Sequence, residues 1–525
     1  MAIPGRVDLL DPQPWSQLAR CVAELGGQCP AAGPLLTGLA WDSRAVRAGD
    51  LFVALRGEVH DGHDHVAQAL QAGASALVVE APAAPSAPHA VVADSRRALG
   101  AISARLFGDP GRGMRLVGVT GTDGKTTTTH LTAAVLLELG LQTCALSTVA
   151  LVSRGGASAP NRTDMTTPEA PILHRFLAEQ RRQGVSTGVL EVTSHALVQQ
   201  RVDHCRFEVA VVTNFTPEHL DFHGSLHEYA RAKLHLLDLL GGTAGSGGAA
   251  PVHGTLVTNA GDPALDRFRL AWPGPHLGFG LGAGAVVADE LDGSRDGTSF
   301  RLLFGGEQAR VRLRLPGPHN VLNALAAASV ALALGGGPHE VAAGLGRVTG
   351  VAGRLQRVVR GQPFEFVVDF AHTANGLEQV LRALRSWTTG RLVVVFGSAG
   401  GRDALKRPAL GRAAARLADH AILTTDDPRR EDPAVIADEI SAGMESEGWR
   451  RGERFEVVLD RTEAVRVAIA AARPGDTVLL AGKGGQTRMY LRDGSIPWDD
   501  VAVADEALAG AGYRTSLPGG PPCPG

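Results

Sequence analysis

Short apolar runs alternate with longer segments of helical periodicity along most of the chain. Six of these runs are predicted to be buried strands: MRLVGVTG (114–121), TGVLEVTS (187–194), EVAVVTNF (208–215), RLVVVFGS (391–398), HAILTTDD (420–427) and DTVLLAGKG (476–484). Each run ends in small or polar residues and is followed by a helix-like stretch. The pattern predicts an α/β protein with parallel sheets and crossover helices, whose ligand sites lie beyond the carboxyl ends of the strands.

Two breaks in this pattern divide the chain. GDPGRG (108–113) precedes the first strongly apolar strand, and RVTGVAGRLQRV (347–358) separates a helical stretch from a new set of strands. A Gly/Ser-rich segment (241–251) is predicted to be a flexible surface insertion, and the tail (516–525) to be disordered, because neither can contribute to a core. The predicted domains are therefore residues 1–112, 113–350 and 351–515.

Composition narrows the class of protein. The 525 residues are 44% hydrophobic and 20% charged, which is typical of a globular protein with sizeable cores. A net charge of -3 provides no global basic field for nucleic acid or an anionic membrane. The N-terminus lacks the pattern of a signal peptide, no apolar run is long enough to span a bilayer, and the five cysteines show no metal-type pairing. We therefore expect a cytoplasmic protein with reduced thiols, no nucleic-acid partner and no membrane insertion.

The segment GVTGTDGKTTTTH (118–130) places glycines and a lysine between a strand and a helix. It departs from the usual phosphate-loop spacing, because Val119 stands where that motif has its first glycine. Its three glycines still allow backbone N–H groups to turn toward a phosphate at the start of a helix. We predict that Lys125 reaches the terminal phosphates of a nucleotide and that Thr126 or Thr127 holds Mg²⁺.

Candidate metal ligands follow the next two strands. Glu191 ends the strand in LEVTSHALVQQRV (190–202), and His219 follows the strand before TNFTPEHLDFHG (213–224). Each residue alone is more typical of a structural role. Ligands after two neighbouring strands, both close to a phosphate loop, favour a shared Mg²⁺ site.

Lysine is rare in this chain. Of 51 lysines and arginines only four are lysines: Lys125, Lys233, Lys406 and Lys483. Lys233 lies in EYARAKLHLL (228–237), which has the pattern of an amphipathic helix. Such a lysine either lies along the protein surface as an ordinary helix residue or performs chemistry that a guanidinium cannot.

Over nearly its whole length the chain resembles the Mur ligase family, and within it the MurE type. The matching stretches occur in the order typical of the family: DSRAVRAGDLFVALRG (42–57), TGTDGKTTTT (120–129), TTPE (166–169), EVTSHALVQQRV (191–202), TPEHLDFHG (216–224), YARAK (229–233), GPHNVLNALAA (317–327), GRLQRV (353–358), DFAHTANGLEQVL (369–381), GRDALKRP (401–408), DDPR (426–429) and AGKG (481–484).

The resemblance implies a fold and an activity. The fold is a UDP-MurNAc-binding domain, a central P-loop-type parallel-sheet ATP-binding domain and a C-terminal Rossmann-like domain that binds an amino acid. The activity is ATP-dependent addition of a diamino acid to UDP-MurNAc-L-Ala-D-Glu through an acyl-phosphate, in cytoplasmic peptidoglycan precursor synthesis. Mg²⁺ is the implied cofactor, and a lysine at the position of Lys233 is carbamylated by CO₂. Arginine cannot replace that lysine, because its guanidinium stays protonated.

The same resemblance assigns roles to individual residues. Catalysis is assigned to Lys125, Lys233 and Arg354, and metal binding to Thr126, Glu191, His219 and carbamylated Lys233. ATP binding is assigned to Gly121, Thr122, Asp123, Gly124, Lys125, Thr126, Thr127, Asn320 and Asp369, with His372 near the nucleotide edge. UDP-MurNAc-dipeptide binding is assigned to Ser43, Thr166, Thr167, Thr193, Gln199 and Arg201. Amino-acid binding is assigned to Arg402, Asp426, Asp427, Pro428, Arg429, Gly482 and Gln486.

Departures from the family pattern leave the added amino acid open. Members that add meso-diaminopimelate typically have Asp-Asn-Pro-Arg and Gly-Lys-Gly-His-Glu, whereas this chain has Asp427 for the Asn and Gly485-Gln486 for the His-Glu. Retained Arg429 favours diaminopimelate, because a guanidinium holds a carboxylate bidentately. Asp427 adds negative charge near that carboxylate and suits the bare ammonium of L-lysine or L-ornithine. Asp123, where many relatives have Asn, is expected either to tighten the loop or to weaken nucleotide binding.

Two other functions fit parts of the pattern. One is a related ligase of the MurF or folylpolyglutamate synthetase type, against which the stretches at 42–57 and 426–429 argue. The other is a nucleotide-binding relative without catalysis, for which Gly485 and Gln486 are the only indication. The presence of every candidate catalytic and metal-binding residue argues against this second alternative. We expect the protein to be a monomer.

Overall fold

The structure is a computed structural model and describes residues 5–57, 60–81, 87–241 and 254–514. The predicted disordered tail and nearly all of the predicted surface insertion lie outside these ranges. Three sheets follow one another along the described chain, and a two-stranded hairpin follows the third. We refer to each sheet with its helices as the N-terminal, central and C-terminal unit. The predicted α/β class is confirmed, while the predicted domain boundaries stay predictions.

The N-terminal unit has a five-stranded sheet. Its strands are β1 (Arg6–Gln13), β2 (Leu36–Ala40), β3 (Asp50–Val53), β4 (Ala76–Val79) and β5 (His89–Val91). They lie side by side in that order, with β1 antiparallel to β2 and the other pairs parallel. Its helices are α1 (Trp15–Glu24), α2 (Val66–Gln71) and α3 (Ser95–Leu106), with 3₁₀ turns at Ser43–Ala45, Gly62–His65 and Pro110–Arg112.

The central unit has an 11-stranded sheet. Its strands are β6 (Arg115–Thr120), β7 (Thr143–Leu146), β8 (Ala150–Val152), β9 (Ser158–Pro160), β10 (Thr187–Glu191), β11 (Phe207–Val212), β12 (Thr255–Asn259), β13 (His276–Leu281), β14 (Val286–Ser294), β15 (Gly297–Phe304) and β16 (Glu307–Leu313). Their spatial order is β16-β15-β14-β13-β12-β11-β6-β10-β7-β8-β9. The middle of the sheet is parallel, as predicted, but both edges are antiparallel hairpins that the prediction missed.

Helices cover both faces of the central sheet. They are α4 (Lys125–Glu138), α5 (Ala170–Arg182), α6 (Ser194–Val198), α7 (Leu220–His223), α8 (Leu226–Asp238), α9 (Asp266–Ala271), α10 (Pro318–Ala333) and α11 (Pro338–Arg347), with 3₁₀ turns at Arg154–Gly156 and Pro263–Leu265. Apolar residues of α4, α10 and α11 pack on one face, and those of α5 and α8 on the other. Burial on both faces explains why the parallel strands read as continuous apolar runs.

The C-terminal unit is a second doubly wound sheet. Its strands are β17 (Gln356–Arg357), β18 (Glu365–Asp369), β19 (Leu392–Phe396), β20 (His420–Leu423), β21 (Phe455–Val457) and β22 (Thr477–Ala481), followed by the hairpin β23 (Arg488–Leu491) and β24 (Gly494–Pro497). The sheet order is β17-β18-β22-β19-β20-β21, parallel from β18 to β21. Its helices are α12 (Ala374–Arg385), α13 (Lys406–Leu417), α14 (Pro433–Glu445), α15 (Arg461–Ala471) and α16 (Asp500–Gly510). Within the described residues, no helix of any unit is long and apolar enough to cross a membrane.

The predicted phosphate loop connects β6 to α4. Gly121 and Gly124 have φ angles of 140° and 81°, which side chains rarely adopt. A Cβ atom at Gly121 would lie 1.9 Å from the Thr213 hydroxyl, and one at Gly124 would lie 2.3 Å from Asn323 Oδ1. Glycine is therefore required at both positions, because the neighbouring elements approach the loop backbone closely.

Helix α8 carries Lys233 on its buried face. Its N-cap Ser225 accepts a hydrogen bond from the Glu228 N–H, and Tyr229, Lys233 and Leu236 point into the protein. The spacing of four and three residues places these three side chains on one stripe. The amphipathic pattern therefore directs Lys233 inward rather than to the surface.

His235 anchors the last turn of α8, and we predict a pH-dependent contribution to stability. Its ring nitrogens lie 3.1 Å from Asp203 and 2.9 Å from Asp238, and these carboxylates raise the pKa of His235 from 6.5 to about 9. The stabilisation is fully present below pH 6.5 and is lost as the pH rises through 9. Because the side chain is 34% exposed, we discount it to about 1 kcal/mol.

Thermal unfolding of His235→Gln should show this dependence. We expect its Tm to be about 2–4 °C below that of the wild type at pH 6, and the gap to close above pH 9. His227→Gln is the matched control, because His227 is exposed on the same helix. A Tm gap that stays constant across this pH range would contradict the prediction.

Candidate active site

A cleft of about 1270 Å³ lies where the three units meet. The predicted site residues that line it are Thr122, Asp123, Gly124, Lys125, Thr126, Thr127, Thr166, Thr167, Glu191, Thr193, Gln199, Arg201, His219, Asn320, Arg354, Asp369, Arg402, Asp427, Arg429 and Gln486. The predicted site residues that do not line it are Ser43, Gly121, Lys233, Asp426, Pro428 and Gly482. The folded chain thus brings most of the predicted site to one surface.

Residues after β11 hold the phosphate loop in shape. Asn214 Oδ1 accepts hydrogen bonds from the N–H groups of Thr122 (3.1 Å) and Asp123 (2.9 Å). Lys125 folds back on its own loop and donates to the Thr122 carbonyl at 2.8 Å. The loop is therefore curved by protein contacts, with its lysine at the cleft surface.

Glu191 is a buried carboxylate at the centre of the site. It is 1% exposed, and both its oxygens lie 3.0 Å from the Thr126 hydroxyl. Thr148 donates to it from its backbone N–H (2.8 Å) and its hydroxyl (3.1 Å). A buried carboxylate bonded by neutral donors suits a hard cation such as Mg²⁺.

Two neutral imidazoles, His195 and His219, line the same cleft as this carboxylate. Burial lowers the pKa of His219 strongly, and burial lowers that of His195 to about 3. Their rings are 4.7 Å apart, and the buried His195 Nε2 has no hydrogen-bond partner among the described residues. Neutral imidazoles can act as ligands or hydrogen-bond partners.

The described residues contain no group of three or more His, Cys, Asp or Glu side chains arranged to hold a metal by themselves. The predicted ligand set of Thr126, Glu191, His219 and modified Lys233 would therefore need further oxygen ligands. Mg²⁺ commonly takes these from water and substrate phosphates, so the donor types present fit the ion.

Lys233 lies directly beneath the phosphate loop. Its Nζ donates to the Gly121 carbonyl at 2.7 Å, and Lys125 Nζ lies 3.2 Å from the same oxygen. Lys233 is 2% exposed and sits 4.6 Å over the Tyr229 ring. Burial lowers its pKa well below the ordinary value, and the charge of Lys125 lowers it further. Both effects favour a neutral amine at this position.

Arg354 crosses from the C-terminal unit to the phosphate loop. Its guanidinium donates to the Thr126 hydroxyl at 3.0 Å and lies 4.5 Å over the Phe370 ring. Asp369, at the end of β18, accepts from the N–H groups of Leu355 (2.7 Å) and Ala371 (2.8 Å). Burial raises the pKa of Asp369, and the Arg354 charge opposes this shift. The Asp369 carboxylate at the strand end therefore fixes the segment that presents Arg354.

The remaining predicted nucleotide contacts lie on the same side. Asn320, in the first turn of α10, donates to the Pro316 carbonyl at 2.8 Å. His372 bonds the Phe370 carbonyl at 3.0 Å, and burial lowers its pKa to about 4. Both side chains thus lie at the junction of the central and C-terminal units.

The predicted UDP-peptide contacts of the central unit cluster around Arg201. Arg201 donates to the Thr167 carbonyl at 2.7 Å and to Gln199 at 2.5 Å, and it pairs with Glu169 at 3.1 Å. Its buried Nε has no partner among the described residues. Burial lowers the pKa of Arg201, which reflects the cost of placing this cation inside the protein. A substrate anion would meet a fixed guanidinium here.

Ser43 is not brought to the cleft. Its hydroxyl donates to Gln68 Oε1 at 2.9 Å, in a 3₁₀ turn that packs against α2. The N-terminal unit instead contributes Arg56, His60 and Arg96 to the cleft. A motif match over residues 42–57 does not show which side of this turn faces the other two units.

Asp427 lies in an ion pair with a buried lysine. Asp427 Oδ1 lies 2.7 Å from the ammonium of Lys483 and accepts from the Tyr490 N–H at 3.0 Å. Lys483 is fully buried and also bonds Gln486 Oε1 at 3.1 Å and pairs with Asp426 at 3.6 Å. The Asp427 carboxylate is therefore paired with a buried ammonium, which it shares with Asp426.

Arg429 remains directed at this end of the cleft. Its backbone has a φ of 54°, and its guanidinium lies 5.4 Å from the centre of the Tyr490 ring. The buried Nε has no hydrogen-bond partner among the described residues. A buried, unsatisfied cationic donor is suited to a carboxylate ligand.

Several site residues were missed by the sequence analysis. Thr148 and Asn214 were overlooked because a threonine and an asparagine after strands are common. Lys406 was also missed; it pairs with Glu218 at 2.9 Å and so joins the central and C-terminal units. The scarcity of lysine in the chain could have pointed to this residue. All four lysines of the chain lie in or directly behind the site.

Related proteins align in sequence with almost the entire chain. A UDP-N-acetylmuramyl-tripeptide synthetase of Roseiflexus sp. (strain RS-1) is 44% identical over 492 residues, covering 92% of this chain and 96% of the relative. The chain belongs to the Mur ligase family. Three family profiles match this Mur ligase: Mur ligase family, catalytic domain (35–105), Mur ligase middle domain (119–331) and Mur ligase, glutamate ligase domain (353–484). The predicted family and the class of ATP-dependent, amide-forming ligase are confirmed.

Further relatives agree with this assignment. A UDP-N-acetylmuramoyl-L-alanyl-D-glutamate--2,6-diaminopimelate ligase of Streptomyces avermitilis is 40% identical over 522 residues, covering 97% of this Mur ligase and 99% of the relative. A solved structure of a ligase with that same name is 29% identical, has a TM-score of 0.59 and covers 91% of this chain and 95% of its own. MurF from Thermotoga maritima in complex with ADP, at 20% identity and TM-score 0.63, shares the fold alone over 90% of this chain and 96% of its own.

Proposed function

We propose that this Mur ligase adds meso-diaminopimelate to UDP-MurNAc-L-Ala-D-Glu with ATP, in cytoplasmic peptidoglycan precursor synthesis. The observation that carries the choice of amino acid is the 2.7 Å contact between Lys483 and Asp427. Arg429 and Arg402 line the cleft together with Asp427, whose carboxylate is paired with Lys483. Diaminopimelate brings a second carboxylate there, whereas lysine and ornithine bring a bare ammonium that these arginines would repel. Seven relatives of 36–40% identity named as 2,6-diaminopimelate ligases support the proposal.

The chemistry divides into two transfers. The side-chain carboxylate of the D-Glu residue attacks the γ-phosphorus of ATP, and the bond to the ADP oxygen breaks. The amine of the incoming amino acid then attacks the acyl-phosphate carbon, loses a proton and releases phosphate. Negative charge accumulates where the carboxylate meets the phosphates, and Lys125 and Arg354 both line the cleft there to offset it. Mg²⁺, when bound by Thr126, Glu191, His219 and modified Lys233, would supply further charge neutralisation.

We assign Lys233 to carry the carbamate. Its Nζ shares the Gly121 carbonyl with Lys125, and two ammonium groups on one buried oxygen would repel each other. A neutral amine of lowered pKa removes this conflict and is the form that reacts with CO₂, releasing one proton as the carbamate forms. The product is an anion next to Lys125, with oxygen atoms that suit Mg²⁺.

The other roles are assigned by position in the cleft. Asn320 and Asp369 lie where the nucleotide would meet the C-terminal unit, and the residues around Arg201 form the wall for the UDP-peptide. We assign the ATP phosphates to the loop that ends in Lys125. The predicted monomer stays a prediction.

Turnover with three amino acids tests this proposal. Purified protein with ATP, Mg²⁺ and UDP-MurNAc-L-Ala-D-Glu is given meso-diaminopimelate, L-lysine or L-ornithine separately, and phosphate release and product mass are measured. We expect kcat/KM for diaminopimelate to exceed the other two by about a hundredfold or more, because only diaminopimelate brings a second carboxylate that Arg429 can hold bidentately. Turnover confined to lysine or ornithine would refute the proposal.

Arg429→Leu provides the matched test. We expect kcat/KM for diaminopimelate to fall about a hundredfold, since a charge-assisted bidentate pair is lost, while KM for ATP changes little. Arg430→Leu is the control, because Arg430 is the exposed neighbour. Equal losses in the two variants would show that Arg429 does not select the substrate.

A further inference from the structure

Asp123 joins the phosphate loop to the C-terminal unit through its side chain. Its Oδ1 accepts a hydrogen bond from the Thr373 hydroxyl at 3.0 Å, and its Oδ2 accepts one from Asn375 Nδ2 at 2.9 Å. Thr373 is the N-cap of α12 and accepts from the Gly376 N–H at 2.9 Å. Both carboxylate oxygens are thus used by the first turn of a helix in another unit.

The backbone of Asp123 is held separately by the central unit. Its N–H donates to Asn214 Oδ1 at 2.9 Å, and its carbonyl accepts from the Thr213 hydroxyl at 2.6 Å. An acid in a phosphate loop should repel phosphates, but here the carboxylate turns away to the N-terminus of α12, where the helix dipole is positive. The central unit therefore fixes the backbone of Asp123, and the C-terminal unit fixes its side chain.

The C-terminal unit also contributes Arg354, whose guanidinium contacts the phosphate loop. Arg354 reaches Thr126 at 3.0 Å, three residues along the chain from Asp123. Arg354 can contact the phosphate loop only while the two units stay together, because it belongs to the segment that enters β17. An interaction that holds α12 on the loop therefore also holds Arg354 at the loop.

We propose that Asp123 is a positioning residue that latches the C-terminal unit onto the phosphate loop, so that Arg354 reaches the reacting phosphate. Hydrogen bonds to a charged carboxylate are roughly twice as strong as neutral ones, which suits a contact that holds two units together. The departure from Asn at this position thus strengthens the contact between units rather than the binding of nucleotide.

A double-mutant cycle tests the latch. Asp123→Ala, Asn375→Ala and the double variant are compared in kcat, KM for ATP and ADP affinity, with whichever amino acid the wild type accepts. We expect Asp123→Ala, which removes both hydrogen bonds, to lose about tenfold in kcat, and Asn375→Ala, which removes one of them, to lose less, with ADP affinity within about threefold of the wild type in both. The double variant should be no worse than Asp123→Ala alone, because the contact made by Asn375 is already lost in that variant.

Conservative and control variants separate the latch from a general structural role. Asp123→Asn keeps both hydrogen bonds once the Asn375 amide turns over, so we expect most of kcat to return. Asp296→Asn removes the exposed 2.9 Å pair with Arg357, which also joins the central and C-terminal units but lies away from the cleft, and should leave kcat unchanged. The Tm of each variant reports folding, and Thr373→Val replaces Asn375→Ala if that variant unfolds.

Two results would overturn the latch. One is a tenfold or larger loss of ADP affinity in Asp123→Ala with no change in Asn375→Ala, which would place the function of Asp123 inside the phosphate loop. The other is a double variant whose loss equals the product of the single losses, which would show that the two side chains act independently.

Discussion

Replacing Lys233 by alanine is expected to lower kcat by about 10²–10³-fold, the effect of removing one preorganised charge-stabilising group. Lys233 is 2% exposed and bonds the Gly121 carbonyl under the phosphate loop, so its loss removes the proposed carbamate from the place where phosphate and carboxylate meet. Formate or acetate at millimolar concentration should restore part of the activity, because a small anion can enter the space left by the side chain.

The control for this rescue is Lys125→Ala. Lys125 lines the cleft and acts as a cation, so we expect its alanine variant to be equally impaired and to gain nothing from short carboxylates. Lys233→Arg should be as inactive as Lys233→Ala, because a protonated guanidinium does not react with CO₂. Full activity of Lys233→Ala without added carboxylate would exclude the carbamate role. Enrichment with ¹³CO₂ followed by ¹³C NMR would detect the carbamate directly.

Replacing Arg354 by alanine is expected to lower kcat about a thousandfold, the range seen when an arginine that stabilises phosphoryl transfer is removed. Arg354 comes from the C-terminal unit, is stacked on Phe370 and bonds Thr126 at 3.0 Å. Under the proposed function, its guanidinium lies where charge develops on the transferred phosphate. KM for ATP should change far less than kcat, because Lys125 and the loop amides remain.

A single-turnover measurement of acyl-phosphate formation locates the defect. We expect Arg354→Ala to slow this step, and Arg354→Lys to recover only a small part, since an ammonium cannot reproduce the planar guanidinium and its stacking. Arg357→Ala is the matched control, because Arg357 lies three residues away in an exposed ion pair with Glu365. A normal rate of acyl-phosphate formation in Arg354→Ala would assign Arg354 to the later amide-forming step or to structure.

The hydrophobic pattern alone predicted the elements that carry the site. All six predicted strands are present, and β10 supplies Glu191 at its carboxyl end, because strands buried on both faces must be apolar until they reach the ligand edge. The strand that ends in Asp369, β18, was not among the six. The antiparallel edges from β14 to β16 were missed. The sequence does carry a signal for β16, where apolar residues alternate with arginine from Ala309 to Leu315, but no continuous apolar run marks these strands.

The sequence also shows some of the positions at which only one residue type can serve. The scarcity of lysine singled out Lys125 and Lys233, and the glycines of the phosphate loop stood out because no other residue fits their backbone angles. Such constraints act on single positions and their neighbours in the chain, so a sequence displays them directly.

Contacts between distant segments were decided only by the tertiary structure. The ion pair of Asp427 with Lys483 was not expected from the sequence, and Asp123 proved to contact α12, 250 residues further along the chain. Ser43 proved to face α2 rather than the cleft. The effect of a charge depends on the groups within a few ångströms of it, and folding chooses those groups from anywhere in the chain. The sequence alone therefore identified the family and the reactive side chains, while the fold determined which charges remain for the substrate.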